Sequence, residues 1–275
     1  MRIKVSGVCL VAAVAMSAIA ATGASAANPE FGRCIKVTPK SVSNYDGAKC
    51  TKLASEDPGT EAEKLAKGNY KWFAAFGSEK PLEKTGFTAV LKPETIATLE
   101  TKDGKKVTCT KLTAKAKFTG NKTIEGTQTD FSECESSGIK CNTEGAGVGV
   151  IKVSELEGEL GVISKGETGI KDKIGTVVWP KGGTATSGSE FVEFACGGLV
   201  VKVKNSVIAP ITSNAMKLTA TVKYTASKGV QKPTKFLGGP NMFLESKFSA
   251  AEYQQSGQSA TTIQTAEEKV EARSL

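Results

Sequence analysis

The run Phe191-Val-Glu-Phe-Ala-Cys196, Gly197-Gly198, Leu199-Val-Val-Lys-Val-Lys204 decides the fold class. Alternation sets Phe191, Val201 and Val203 facing inward, while Glu193, Lys202 and Lys204 face outward or flank an edge. That two-residue period belongs to half-buried strands. Gly197 and Gly198 can take the positive φ values of a two-residue turn, so the stretch reads as a β-hairpin. Thr95–Thr101, Lys102-Asp-Gly-Lys105 and Lys106–Lys111 repeat the pattern, with Asp103-Gly104 suited to the turn. Met216–Thr225 is a further strand, with Leu218, Ala220, Val222 and Tyr224 on one face. Val148–Val153, Leu156–Ile163, Gly175–Trp179 and Ser259–Thr265 add others. Only Asp57–Gly68 has helical punctuation: a capping residue, an early proline and a terminal glycine. Many strands without intervening helices predict an all-β protein, an antiparallel sandwich or barrel with at most one short helix.

The front of the chain is different. Arg2 and Lys4 precede an apolar run, Val8–Ala20, and a small-x-small site, Ala24-Ser25-Ala26. These are the parts of a secretory signal peptide over residues 1–26. The run is shorter than the roughly 20 residues that span a bilayer. The expected mature chain starts at Ala27 and forms one extracellular β domain over 27–275, with a possible subdivision at the linker-like 182–188. No segment after the cleavage site is long and apolar enough to span a membrane as a helix.

Cys9 lies within the apolar run; Cys34, Cys50, Cys109, Cys134, Cys141 and Cys196 remain. An even set in an exported chain reads as disulfides. Sequence leaves the pairing open. Local order favours Cys34–Cys50 and Cys134–Cys141, each flanking a turn signal, and leaves Cys109–Cys196 to join distant strands. There is no CxxC pair and no histidine, so zinc is not implied.

Composition narrows the function. Of the net charge of +8, nearly all the base is lysine; only Arg33 and Arg273 follow the signal segment. Sequence-specific nucleic-acid sites rely on the arginine fork, so that partner is not expected. Lysine interleaved with glutamate keeps exposed strands soluble and apart. Without histidine, Ser-His-Asp and Cys-His catalysis are excluded. No GxSxG elbow, GxxxxGK[ST] loop, helix-opening GxGxxG turn or Asp-rich calcium loop is present, and no cofactor is implied.

Carboxylates are the remaining catalytic device. In Ser154-Glu-Leu-Glu-Gly-Glu-Leu160, a strand would project Glu155, Glu157 and Glu159 from one face. Successive members would stand roughly 6.6 Å apart. Retaining glycosidases hold two carboxyls about 5–5.5 Å apart across the scissile bond, a placement one strand does not obviously provide. Trp72 and Trp179 suit either sugar stacking or core packing. Asn121-Lys-Thr123 matches a glycosylation sequon.

Pro29-Glu-Phe-Gly-Arg-Cys34, Lys106-Val-Thr-Cys109, Leu156-Glu-Gly-Glu-Leu-Gly161, Phe194-Ala-Cys-Gly-Gly198 and Gln231-Lys-Pro233 together resemble a group of uncharacterised secreted proteins of soil actinobacteria. The resemblance covers nearly all of the chain after cleavage. It implies export and a six-cysteine β framework, and brings no activity or site residue. The expectation is a secreted, non-enzymatic β protein: a binding or cell-envelope component whose partner is a cell-wall polymer or another extracellular protein. The alternative is a glycoside hydrolase using Glu155, Glu157 or Glu159.

Overall fold

The computed structural model describes residues 28–38, 45–51, 68–167 and 171–274. The expected signal segment 1–26 and, apart from Gly68, the expected Asp57–Gly68 helix lie outside the described residues. Among the described residues every regular element is a strand. They are β1 (Pro29–Lys36), β2 (Tyr70–Ala74), β3 (Gly86–Leu91), β4 (Ala97–Thr101), β5 (Lys106–Cys109) and β6 (Lys111–Phe118). Next come β7 (Thr123–Ser132), β8 (Glu135–Ser136), β9 (Ile139–Asn142), β10 (Ile151–Val153), β11 (Leu156–Ser164) and β12 (Lys173–Pro180). The rest are β13 (Glu190–Cys196), β14 (Leu199–Asn205), β15 (Val207–Ser213), β16 (Lys217–Ser227), β17 (Val230–Lys232), β18 (Leu244–Phe248) and β19 (Gln254–Ser274).

The pairings are antiparallel and close on themselves, so the fold is a barrel. One ring runs β19–β3–β6–β7–β11–β12–β15–β16 and back to β19. A second runs β19–β4–β5–β8–β9–β13–β14–β18 and back to β19. We call them the lower and upper rings. They are stacked end to end. β19 serves both; Thr110 alone separates β5 from β6, and Ser206 alone separates β14 from β15. Closure removes the unpaired strand edges that invite aggregation. The stretch 182–188 links β12 in the lower ring to β13 in the upper one, and a common core crosses the junction there.

Local sequence explains the strands. β6 alternates Leu112, Ala114, Ala116 and Phe118 toward the interior with Lys111, Thr113, Lys115 and Lys117 toward solvent. The β13–β14 hairpin forms as predicted, with Cys196 opposite Leu199 and Gly197 at φ +61°. The β4–β5 turn spans Lys102–Gly104, with Gly104 at φ +86° and the Thr101 N–H donating to Lys105 O. That is a three-residue loop with its glycine in the left-handed position. On β16, Val222 is buried but Leu218 is 45% exposed, contrary to the single apolar face expected. Cross-ladder pairing with β15 ends at Thr221, so Leu218 extends past the interior that buries Val222.

The far end of the lower ring is packed shut. Phe31 meets Phe118 edge-on with centroids 4.7 Å apart, and Phe87 lies 4.9 Å from Phe118. β1 reaches this position by pairing with the last residues of β19 on one side and with β2 on the other. At the junction, β16 leaves β19 after Tyr224 and β18 takes its place. Gln231 fills the gap: fully buried, it donates to Thr225 O at 2.9 Å and Gln258 O at 3.2 Å, and accepts from the Gln258 N–H at 2.7 Å.

Cys34, Cys50, Cys109, Cys134, Cys141 and Cys196 are all oxidised. Cys34–Cys50 forms as predicted. The other two pairings are not those expected: Cys109 joins Cys134, and Cys141 joins Cys196. The hairpin that suggested Cys134–Cys141 does exist, as β8 and β9. Its cysteines face each other with the Cys141 N–H donating to Cys134 O at 3.0 Å. Pairing of β5 with β8 at Thr108–Glu135 brings Cys109 alongside Cys134, and β9 meets β13 at Cys141–Cys196, so ring closure supplies each cysteine with a partner outside the hairpin. Each cysteine instead bonds to the strand flanking the hairpin; Cys141 and Cys196 are direct register partners with Cα atoms 4.0 Å apart.

Candidate functional site

The interior is not filled at the junction of the rings. An apolar cavity of about 180 Å³ lies there, lined by strands of both. Its size follows from small residues in register. Ala89 on β3 pairs with Ala114 on β6, and Ala116 on β6 pairs with Gly126 on β7. These positions point inward, where a barrel of this strand number can be closed by larger side chains. Phe131, Phe191 and Phe194 supply bulk elsewhere on the wall. Protein interiors rarely keep voids larger than a water molecule. At ~24 cal/mol per Å³, an empty space of 180 Å³ costs about 4 kcal/mol. That is a large share of the roughly 5–15 kcal/mol that holds a domain together.

Polar residues interrupt the apolar lining at Thr129 on β7, the register partner of Ala114, and above all along β19. The inward positions of β19 include Gln258, Thr262 and Gln264, and all three line the cavity. Tyr224 joins them from β16, opposite Ala260 and so between Gln258 and Thr262. Burial pushes the Tyr224 phenol up to about 12, which keeps it protonated. The hydrogen bonds at Gln258 engage its backbone, leaving its side-chain amide to the cavity. Close by in the upper ring, Ser246 and Ser256 are fully buried with hydroxyls that find no protein partner. A buried polar group left unmatched costs about 1–3 kcal/mol. The cavity is therefore an apolar chamber with a polar seam along β19. Sequence reading did not find it. The alanines of β6 and the glutamines of β19 were its only signal, legible once the inward face is known.

The glutamate ladder lies on the outside of the barrel. Glu157 and Glu159 are in β11; Glu155 precedes it. Glu157 sits between Glu125 on β7 and Trp179 on β12. Lys181 binds Glu125 at 2.6 Å and Glu155 at 2.8 Å, and Lys117 binds Glu125 at 2.9 Å. Hydrogen bonding to Lys181, then to Lys117, holds the Glu125 carboxyl down at about 2. A glycosidase needs one carboxyl displaced upward to act as acid. The displaced carboxyl here moves the other way. Neither Glu125 nor Lys181 was singled out from sequence, because only the β7–β11–β12 pairing brings them to the ladder.

The tryptophans are packing elements. Trp72 lies over β1, where a Cβ on Gly32 would come within 2.2 Å of its ring, and Arg273 stands 5.6 Å from it. Trp179 packs with Val177, Ile208 and Met242 under the segment that carries Phe236. Both indole N–H groups are buried without a partner. Asn121 of the sequon uses its side-chain oxygen to accept the Phe76 N–H at 2.7 Å.

Among the described residues no group of three or more His, Cys, Asp or Glu side chains is arranged to hold a metal ion. No described helix is long and apolar enough to cross a membrane. The outward lysines of β6 are the reverse of a lipid-facing apolar band. Compared with known protein families, functionally described proteins and solved structures, the chain matches none.

Proposed function

We propose that the protein is a secreted, non-enzymatic carrier or receptor that holds a small, mainly apolar molecule inside the barrel, at the junction of the rings. The single observation behind this reading is the 180 Å³ apolar cavity, kept open by Ala89, Ala114, Ala116 and Gly126. Cavities of about 150 Å³ lined by aliphatic and aromatic side chains stay dry and accept benzene. The three disulfides support an oxidising compartment. The signal-peptide pattern over residues 1–26 supports an extracellular one.

Organic extraction of protein purified from its native medium, followed by mass spectrometry, tests the proposal. A stoichiometric small molecule should be recovered, or, from stripped protein, benzene-sized compounds should raise the melting temperature. An Ala116→Leu variant should do neither. Protein that carries nothing and responds to no such compound would contradict the reading.

A further inference from the structure

The polar seam carries an inference about what the chamber selects; it rests on the lumen reading above. Ser256, Gln258, Thr262 and Gln264 alternate along the inward face of β19, and Tyr224 lies across from Ala260 in their midst. Next-but-one residues on one face stand roughly 6.6 Å apart, so a small group beside Tyr224 can reach Gln258 on one side or Thr262 on the other. The seam is mixed in character. Amide side chains donate and accept, as do tyrosine and threonine hydroxyls. A group that also does both, such as a hydroxyl, matches it best.

The seam carries no charge. Lys115 and Glu157 border the cavity, but both belong to the outward set: Lys115 alternates with Ala114 and Ala116, and Glu157 follows the inward Leu156. An ionised ligand would therefore lose its hydration with no opposite charge to meet it. A pure hydrocarbon would leave the seam's polar atoms unmatched, as Ser246 and Ser256 already are.

We infer that the lumen selects a neutral amphipathic molecule: a compact hydrocarbon body in the alanine-lined chamber with one un-ionised hydrogen-bonding group, preferably a hydroxyl, held by Tyr224 together with Gln258 or Thr262.

Isothermal titration of the intact, disulfide-bonded chain with toluene, benzyl alcohol and benzoate at neutral pH decides the matter, since the three share a body and differ in the group it carries. Benzyl alcohol should bind about three- to tenfold more tightly than toluene, the range of one net hydrogen bond. Benzoate should bind at least ~100-fold more weakly than benzyl alcohol, as an unpaired buried carboxylate would. Tyr224→Phe, which keeps the ring and removes the hydroxyl, should narrow the preference for benzyl alcohol over toluene. Equal binding of toluene and benzyl alcohol, or tightest binding of benzoate, would overturn the selectivity while leaving the lumen occupied. Failure of all three to bind would overturn the lumen reading and this inference with it.

Discussion

The two rings reach closure by different means. The lower ring has long ladders: β6 and β7 pair from Lys111–Ser132 to Phe118–Ile124, and β11 and β12 from Leu156–Pro180 to Ser164–Lys173. The upper ring is thin on one side. β8 has two residues, β5 meets it through Thr108–Glu135 alone, and β9 meets β13 through Ala195–Asn142 and Cys196–Cys141. Both non-local disulfides sit at that thin side, with Cys134 and Cys141 fully buried beside Cys109 and Cys196 in the core. Covalent bonds thus stand where the hydrogen-bonded ladder is shortest. The cavity lies between a ring closed by backbone and a ring closed by sulfur, so its shape depends on both.

Removing Cys141–Cys196 sharpens that contrast most. Its loop separation of 55 residues corresponds to about 4 kcal/mol in the entropy model. Cys34–Cys50, with a separation of 16, corresponds to about 3 kcal/mol. Denaturant unfolding of the two double-alanine variants should show the larger loss for the first. Amide exchange should then quicken in β8, β9 and β13 while β6, β7 and β11 stay protected. Uniform acceleration through both rings would break the distinction.

Filling the chamber is the next largest effect. Ala116→Leu adds three carbons to a site with room for them and should stabilise the ligand-free protein by about 1–2 kcal/mol. Thermal unfolding checks it; a loss of stability would show that the space is unavailable to a side chain.

Alkaline pH probes the seam. The Tyr224 phenol is raised in the folded protein, so its contribution is present below the ordinary value of 10.0 and is lost as pH climbs toward about 12. Stability should fall across that window, and Tyr224→Phe should remove part of the fall.

The smallest effect belongs to the outer glutamates. The folded-state carboxyl of Glu125 is depressed, so its contribution holds above 4.5 and disappears as pH drops toward about 2. Because the pairs with Lys117 and Lys181 are exposed, added salt should suppress most of this dependence. Acid unfolding of Glu125→Gln at low and high salt measures it.

What could be read from the sequence was local. The β13–β14 hairpin announces itself through alternation around Gly197-Gly198, and Cys34–Cys50 closes over a short stretch. Ring closure could not be read that way, because it depends on which strands become neighbours. Cys134 and Cys141 show the cost: they flank a real hairpin, yet each pairs with a strand outside it. The site suffered the same blindness. Ala89, Gly126 and Gln264 are scattered along the chain and meet only when the lower ring closes. The glutamate trio drew notice because its members alternate within one short run, and those alternate positions face outward.

Diffraction from crystals held under xenon pressure tests the central claim most directly. Xenon enters apolar chambers of this kind and needs no polar partner. The account predicts a strong xenon peak beside Ala114, Ala116 and Gly126, lost in Ala116→Leu. A chamber without xenon, or one filled by ordered water throughout, would contradict it.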